Sequence, residues 1–251
     1  MLAAVTHRLR VRSAAALTTM EGSLGRMVQL WLLLVGLASA ARLATSKVAG
    51  GIAPETVIAF FLLAAAPVVS GAMAMRWFAA PAAPVPSTAP AWRAVSPVEA
   101  RRHRLYGAGG IMVSLLGGLL LNILLRAFEY LTAMPALSGD VPRWLVSLQL
   151  GMTADVVLLS SLYAVAFVAA LRRSPIFPAL LMGIWVADLG MQLAIRAMVL
   201  DQPDLPASVG RALGMLLGGN VNKVLISVAL WLPYLLLSTR VNVTYRHRLP
   251  R

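Results

Sequence analysis

Asp188 sits in the middle of a long apolar run, Phe177–Leu200, and a carboxylate in such a place is the first residue of this chain that can do chemistry. Ionisable groups at membrane depth are costly and mark functional candidates. At about 100° per helical residue, Trp185, Asp188, Gln192 and Arg196 share a stripe about 80° wide. One face of the segment therefore runs through polar groups from its middle to one end. Asp155 lies about one turn inside the run Leu150–Leu171. Asn122 and Arg126 close the run Tyr106–Arg126, and Asn220, Asn222 and Lys223 stand at the start of Val221–Thr239. All of these come to the same half of the membrane.

Three chemistries fit the set. In the first, a structural or scaffolding staple, Asp155 and Asp188 pair with Arg126, Arg196 or Lys223 and hold helices in register. In the second, an outward-facing cavity centred on Asp188 binds a small anionic solute on the three cations, and Asp188 takes up and releases a proton. In the third, an intramembrane enzyme, the two carboxylates share a proton within about 4–6 Å. No G-x-S-x-G, H-E-x-x-H or P-loop occurs, and these are the spacings that carry acyl, zinc and phosphoryl chemistry. The aspartates also lack the flanks expected of an intramembrane aspartyl protease. No catalytic residue is assigned, and the expectation is a non-enzymatic bundle with the staple, solute binding or proton-coupled transport being the alternative.

Other chemistries are excluded by composition. There is no cysteine, hence no disulfide, thiolate metal site or cysteine nucleophile. His7, His103 and His247 all lie among arginines, without the i,i+4 spacing and carboxylates of a zinc site. No metal or cofactor is expected. The net charge of +13 is scattered over segment ends, so nucleic acid is not expected as a partner; the lipid bilayer is.

The elements that position these residues follow from hydropathy. Apolar residues make up 59% of the chain and charged residues 12%, with a mean hydropathy of +0.79. A soluble domain carries roughly 25% charged residues. Crossing the hydrocarbon core takes about 20 mostly apolar residues in a helix, and Met27–Ala44 and Val57–Trp77 join the four runs already named. The expected fold is all-α: a polytopic transmembrane bundle of about six helices, because in lipid every backbone polar group must be paired within its own segment. Of the 22 basic residues, fifteen fall in the two tails and the second and fourth connections, and seven, Arg42 and Lys47 among them, on the opposite side. The positive-inside rule then places both termini in the cytoplasm.

The domain pattern reads as a basic tail (1–25), a transmembrane hairpin (26–78), a Pro/Ala-rich linker (79–104), a four-helix domain (105–245) and a basic tail (246–251). Pro81, Pro84, Pro86, Pro90 and Pro97 give the linker its extended character. Met27–Ala40 also has the shape of a secretory signal; an uncleaved first helix is the expectation, and a second start is present at Met20. Gly210, Gly214 and Gly218 form a row that lets helices approach closely, within one chain or between two copies in a homo-oligomer, or against a membrane protein partner. A helix from Ala207 to Thr239 exceeds the bilayer core, so a break is expected near Gly218-Gly219-Asn220, leaving 207–218 as a surface helix or a re-entrant half-helix.

The last segment, Trp231-Leu232-Pro233-Tyr234 followed by Ser238, Arg240, Val241, Thr244 and Tyr245, resembles the ending of a bacterial membrane family catalogued as domain of unknown function 2569. Gly107–Gly110 and the basic hairpin Arg172–Pro178 fit the same scheme. The resemblance covers roughly Leu105–Tyr245 and implies a four-helix unit in a bacterial inner membrane, with no activity to transfer. Physically, Trp231, Tyr234, Ser238 and Arg240 read as an anchor at the headgroups, with Pro233 as a kink.

Overall fold

The computed structural model describes residues 2–45, 52–80, 91–137 and 141–251, with side chains from Arg12 onward. Lys47, Pro81, Pro84, Pro86, Pro90 and the side chain of His7 lie outside the described residues. The described residues form nine helices and one two-stranded sheet. Six helices are long and apolar enough to cross a membrane: α2 (Leu24–Ala44), α3 (Pro54–Trp77), α5 (Met112–Ala133), α6 (Arg143–Leu171), α7 (Phe177–Leu200) and α8 (Ala207–Leu237). They alternate in direction. One end of the bundle, the near end, carries α1 (Leu2–Gly22), α4 (Pro97–Arg102) and α9 (Thr239–Tyr245).

Local chemistry sets the helix limits. Pro54 and Pro178 occupy first turns, where the missing N–H costs nothing. Gly107 (φ 105°) and Gly110 (φ 67°) hold a non-helical path, so α5 begins at Met112 rather than Tyr106 and runs on to Ala133. The α6–α7 turn closes in a Schellman pattern: Ser174 N donates to Ala169 O (2.9 Å) and Arg173 N to Ala170 O (3.1 Å). Arg173 takes the left-handed position, φ 55°. Helix α6 starts seven residues earlier than the apolar run suggests, so the far-end connection after α5 is 134–142.

Helix α6 is the hub. It packs most extensively on α3 and then on α7 and α5, while α8 packs on α7. The α2–α3 hairpin is thus not set apart from the last four spans. Phe60 and Leu63 of α3 share a core with Tyr130, Met152 and Val156.

Three further expectations give way. No break occurs at Gly218-Gly219-Asn220: α8 is one helix of 31 residues, about 46 Å long, so 207–218 is neither a separate surface helix nor re-entrant. The described part of the linker, 91–104, is built into the fold. Its strand β1 (Trp92–Ala94) pairs antiparallel with β2 (Arg248–Pro250), with Arg93 opposite Leu249. The C-terminal residues are therefore a strand rather than a tail. Ser96 caps α4 by accepting from Glu99 N (3.1 Å). Val95, Ala100 and Val243 form the apolar centre of this near-end cap. Finally, residues 2–22 are helical, and Ser13 Oγ accepts from Gly110 N (2.9 Å).

Candidate functional site

Arg126 is the centre of the site. Residues 112, 115, 116, 119, 123, 126, 127 and 130 make the buried face of α5, and the helical repeat places a guanidinium on that otherwise apolar face. Its Nη1 donates to Asp155 Oδ2 (2.6 Å) on α6. Its Nη2 donates to Asp188 Oδ2 on α7. Its Nε donates to Asn122 Oδ1 (3.1 Å), one turn back on α5. Tyr163 OH donates to the same Asp188 oxygen (2.9 Å), and the Tyr163 ring lies under the guanidinium at 5.9 Å.

The network continues to α8. Gln192 Nε2 donates to Asp155 Oδ1 (2.8 Å), and Asn220 Nδ2 to Gln192 Oε1 (3.3 Å). Lys223 Nζ donates to Asn220 Oδ1 (3.1 Å) and is paired with Glu129 of α5. A line of polar contacts thus runs from an exposed ion pair to a carboxylate that is 0% exposed. Asp155 and Asp188 each lie twelve residues from the far ends of their helices and Asn220 thirteen, about 18–20 Å inward. Asp155 is therefore as deep as Asp188, because α6 extends to Arg143.

Space is scarce around these groups. A pocket of about 30 Å³ opens on the α5–α8 seam, lined by Asn122, Leu125, Arg126, Glu129, Asn220, Lys223 and Val224. That is room for a water or two, not for a solute. Towards the near end the same helices form a buried apolar core that includes Leu115, Leu116, Leu159, Phe167 and Leu181. Asp188 Oδ1 is buried without a hydrogen-bond partner among the described residues. The guanidinium lies between the two carboxylates and contacts the Oδ2 atom of each. Among the described residues no three His, Asp or Glu converge as metal ligands.

Of the expected polar groups the structure brings together Asn122, Arg126, Asp155, Asp188, Gln192, Asn220 and Lys223, and leaves out two. Arg196 and Asn222 are exposed and join none of these contacts. The reason is angular: steps of four residues drift by about 40° each, so Arg196 is about 80° round from Asp188, whereas Ile195 and Val199 stay within about 20° of it and are buried. Two members were missed. Glu129 lies seven residues beyond Asn122 and three beyond Arg126, on one face, which is a readable signal. Tyr163 carries a hydroxyl inside an apolar run, and such a group needs a partner.

Of the C-terminal pattern, Val241, Thr244 and Tyr245 are buried and form a clasp, while Trp231, Tyr234, Ser238 and Arg240 stay partly exposed. The helix is interrupted at Ser238 (ψ 126°), and α9 folds under the bundle. Arg240 Nη1 donates to Gly107 O (3.3 Å), and Thr244 Oγ1 accepts from Gly107 N (2.9 Å). Tyr245 OH donates to Ala170 O (3.1 Å), and its ring meets Phe177 at 5.0 Å. Burial pushes the Tyr245 phenol well above its ordinary pKa, which keeps it a donor. Val241 is fully buried. Trp231 and Tyr234 meet edge to face at 6.1 Å around Pro233, which lies inside α8. His247 is half-buried, and its Nδ1 has no hydrogen-bond partner among the described residues. A Cβ at Gly214 or Gly218 would meet nothing within 4 Å, and one at Gly210 would meet only Leu205 and Leu200.

Six membrane-length helices, four of them joined by a buried ionic cluster, define a multi-pass helical membrane protein. Comparison with family models, with curated proteins and with solved structures finds no match to this chain. The resemblance of the C-terminal pattern thus stands on its residues alone.

Proposed function

We propose that this chain is a non-enzymatic, multi-pass protein of a bacterial inner membrane, with both termini cytoplasmic, and that its polar cluster is a staple holding α5, α6, α7 and α8 in one register. The observation that carries this reading is the position of Arg126. Its side chain is 7% exposed and lies between Asp155 and Asp188 of two other helices. Buried charges are tolerated when paired and hydrogen-bonded, and here the polar arms meet protein groups rather than a solute-sized space. The pocket of about 30 Å³ weighs against solute transport centred on Asp188. Orientation is supported by the basic residues, which gather at the near end, where Glu21 and Glu99 are the only acids.

The chain has no native cysteine, so single cysteines report cleanly. Cysteine is introduced at positions 185, 192, 204 and 251, one at a time, and intact cells are treated with a membrane-impermeant maleimide. The expected pattern is labelling at 204 alone, with 251 reacting only after permeabilisation. Labelling at 192 from outside would replace the staple by a water-filled cavity. Labelling at 251 in intact cells would invert the orientation.

A further inference from the structure

A second cavity, of about 400 Å³, lies at the near end, far from the Arg126 cluster. Its walls are Glu21 and Leu24, where α1 passes into α2, Met75 at the end of α3, and Leu171, Arg172 and Arg173 at the α6–α7 turn. Both arginines are exposed, and neither lies within ion-pair distance of a carboxylate among the described residues. Arg173 occupies the left-handed position of its turn, where a glycine would sit without strain. Its guanidinium is held over the Tyr106 ring at 5.5 Å. An arginine kept at a conformational cost and fixed by a ring points to work for its side chain.

The setting names the ligand chemistry. Arg172 stands at the end of a membrane-length helix, so the cavity mouth is level with the headgroups of that leaflet. Leu24, Met75 and Leu171 give it an apolar wall. Two guanidiniums and one carboxylate leave one positive charge, which matches one phosphodiester. Guanidinium pairs suit phosphate oxygens, and basic pockets between membrane helices bind anionic headgroups. We propose that this cavity binds an anionic glycerophospholipid, with its phosphate on Arg172 and Arg173, a headgroup hydroxyl on Glu21, and the start of an acyl chain against Leu24, Met75 and Leu171. A soluble phosphate ester shares the polar chemistry but has no use for the apolar wall.

The test uses the full chain in nanodiscs of mixed phosphatidylglycerol and phosphatidylcholine, with bound lipid read by native mass spectrometry. Phosphatidylglycerol is expected to be retained preferentially. The double variant Arg172→Gln/Arg173→Asn, in which asparagine tolerates the left-handed backbone, is expected to lose that retention by about tenfold. Removing the same charge elsewhere on this end, in Arg102→Gln/Arg251→Gln, is expected to change it by less than about twofold. Met75→Trp fills the cavity with the charges intact and is expected to match the arginine double variant, which keeps the test decisive should that variant fold poorly. Equal losses in the two arginine doubles, unchanged retention in Met75→Trp, or no preference over phosphatidylcholine would overturn the proposal. Release of the lipid by millimolar glycerol 3-phosphate would reassign the cavity to a soluble phosphate ester and overturn its lipid identity.

Discussion

The guanidinium of Arg126 is shared by two carboxylates from different helices, so removing it alone differs from removing the whole group. Arg126→Met leaves Asp155 and Asp188 buried without their cation, and breaking a buried pair on one side costs about 3–5 kcal/mol. The triple variant Arg126→Met/Asp155→Asn/Asp188→Asn leaves no orphaned charge. Interhelical polar contacts in membranes average only about 0.6 kcal/mol, so the triple variant should unfold at a milder shift than the single one. Unfolding in mixed micelles of rising SDS content measures both, and a single variant as stable as the triple would remove the staple. At the other end of the molecule, burial first and the Arg101 charge second lower the His247 pKa below its ordinary value of 6.5. The folded chain then binds that proton less readily than the unfolded one, and stability rises with pH between the two values. Acidification from about pH 7.5 to about 5.5 is therefore expected to loosen the cap. Hydrogen exchange at the Val95 amide, which donates to His247 O, reads this out. His247→Asn, which suits the left-handed backbone (φ 49°), should abolish the dependence; exchange that stays pH-independent in the native chain after correction for intrinsic rates would refute it.

Helix pairs differ in how much room they leave, and glycines report it. A Cβ at Gly151 would lie 2.9 Å from Met198 Cε and 3.1 Å from Ile195 Cγ1, so α6 and α7 approach closely there. Gly151→Leu should cost about 1–3 kcal/mol through overpacking, while Gly214→Leu and Gly218→Leu leave the fold of one chain unchanged. A change of oligomeric state in the last two, seen by size-exclusion chromatography with light scattering, would show that the open row packs between copies; loss of the folded monomer would contradict the placement. The spans themselves were legible because bilayer-length apolar runs admit one backbone solution, and α7 falls on its expected limits. The start of α5 was not, because the backbone freedom of Gly107 and Gly110 leaves no hydropathy signal. The continuity of α8 was hidden for the opposite reason. Glycine weakens helices in water but is common in membrane ones, and Asn220 is satisfied by Gln192 rather than by a chain break. At the site, Asp155, Asp188, Gln192 and Arg126 were legible as polar groups in apolar runs. Arg196 and Asn222 were misplaced because periodicity blurs over two turns, and Tyr163 becomes a member only through tertiary packing. The cap strands have three residues each and pair across more than half of the chain, Trp92 with Pro250, a pairing no local pattern encodes.

The whole molecule is organised around α6, whose apolar span is 67% buried against 22% for α8 and 11% for α2. Much of that cover comes from α3. Phe60 meets Tyr130 edge to face at 6.1 Å, and Gly71 lets α3 approach Ala164, with its Cβ position 3.9 Å away. The far end is tied as well: Ala53 N donates to Leu137 O (2.9 Å), and Arg42 Nη2 to Met134 O (3.2 Å). The first hairpin is thus a structural part of the bundle, and tolerance to cutting the chain follows burial rather than sequence position. Residues 91–251 produced alone would expose the α6 face that α3 covers. Buried apolar side chains such as Phe60 and Leu63 contribute about 1.5–3 kcal/mol each in water and less where lipid can take their place, so the loss rests on close packing and on the far-end hydrogen bonds. The fragment should therefore unfold at a lower SDS fraction than the whole chain. Residues 1–80 co-expressed with 91–251 should restore the lost stability and co-purify, because the cut removes none of the described contacts between the halves. A 91–251 fragment with the midpoint of the intact protein would mean that α6 needs no cover from α3, and the four-helix unit would then stand as a domain of its own.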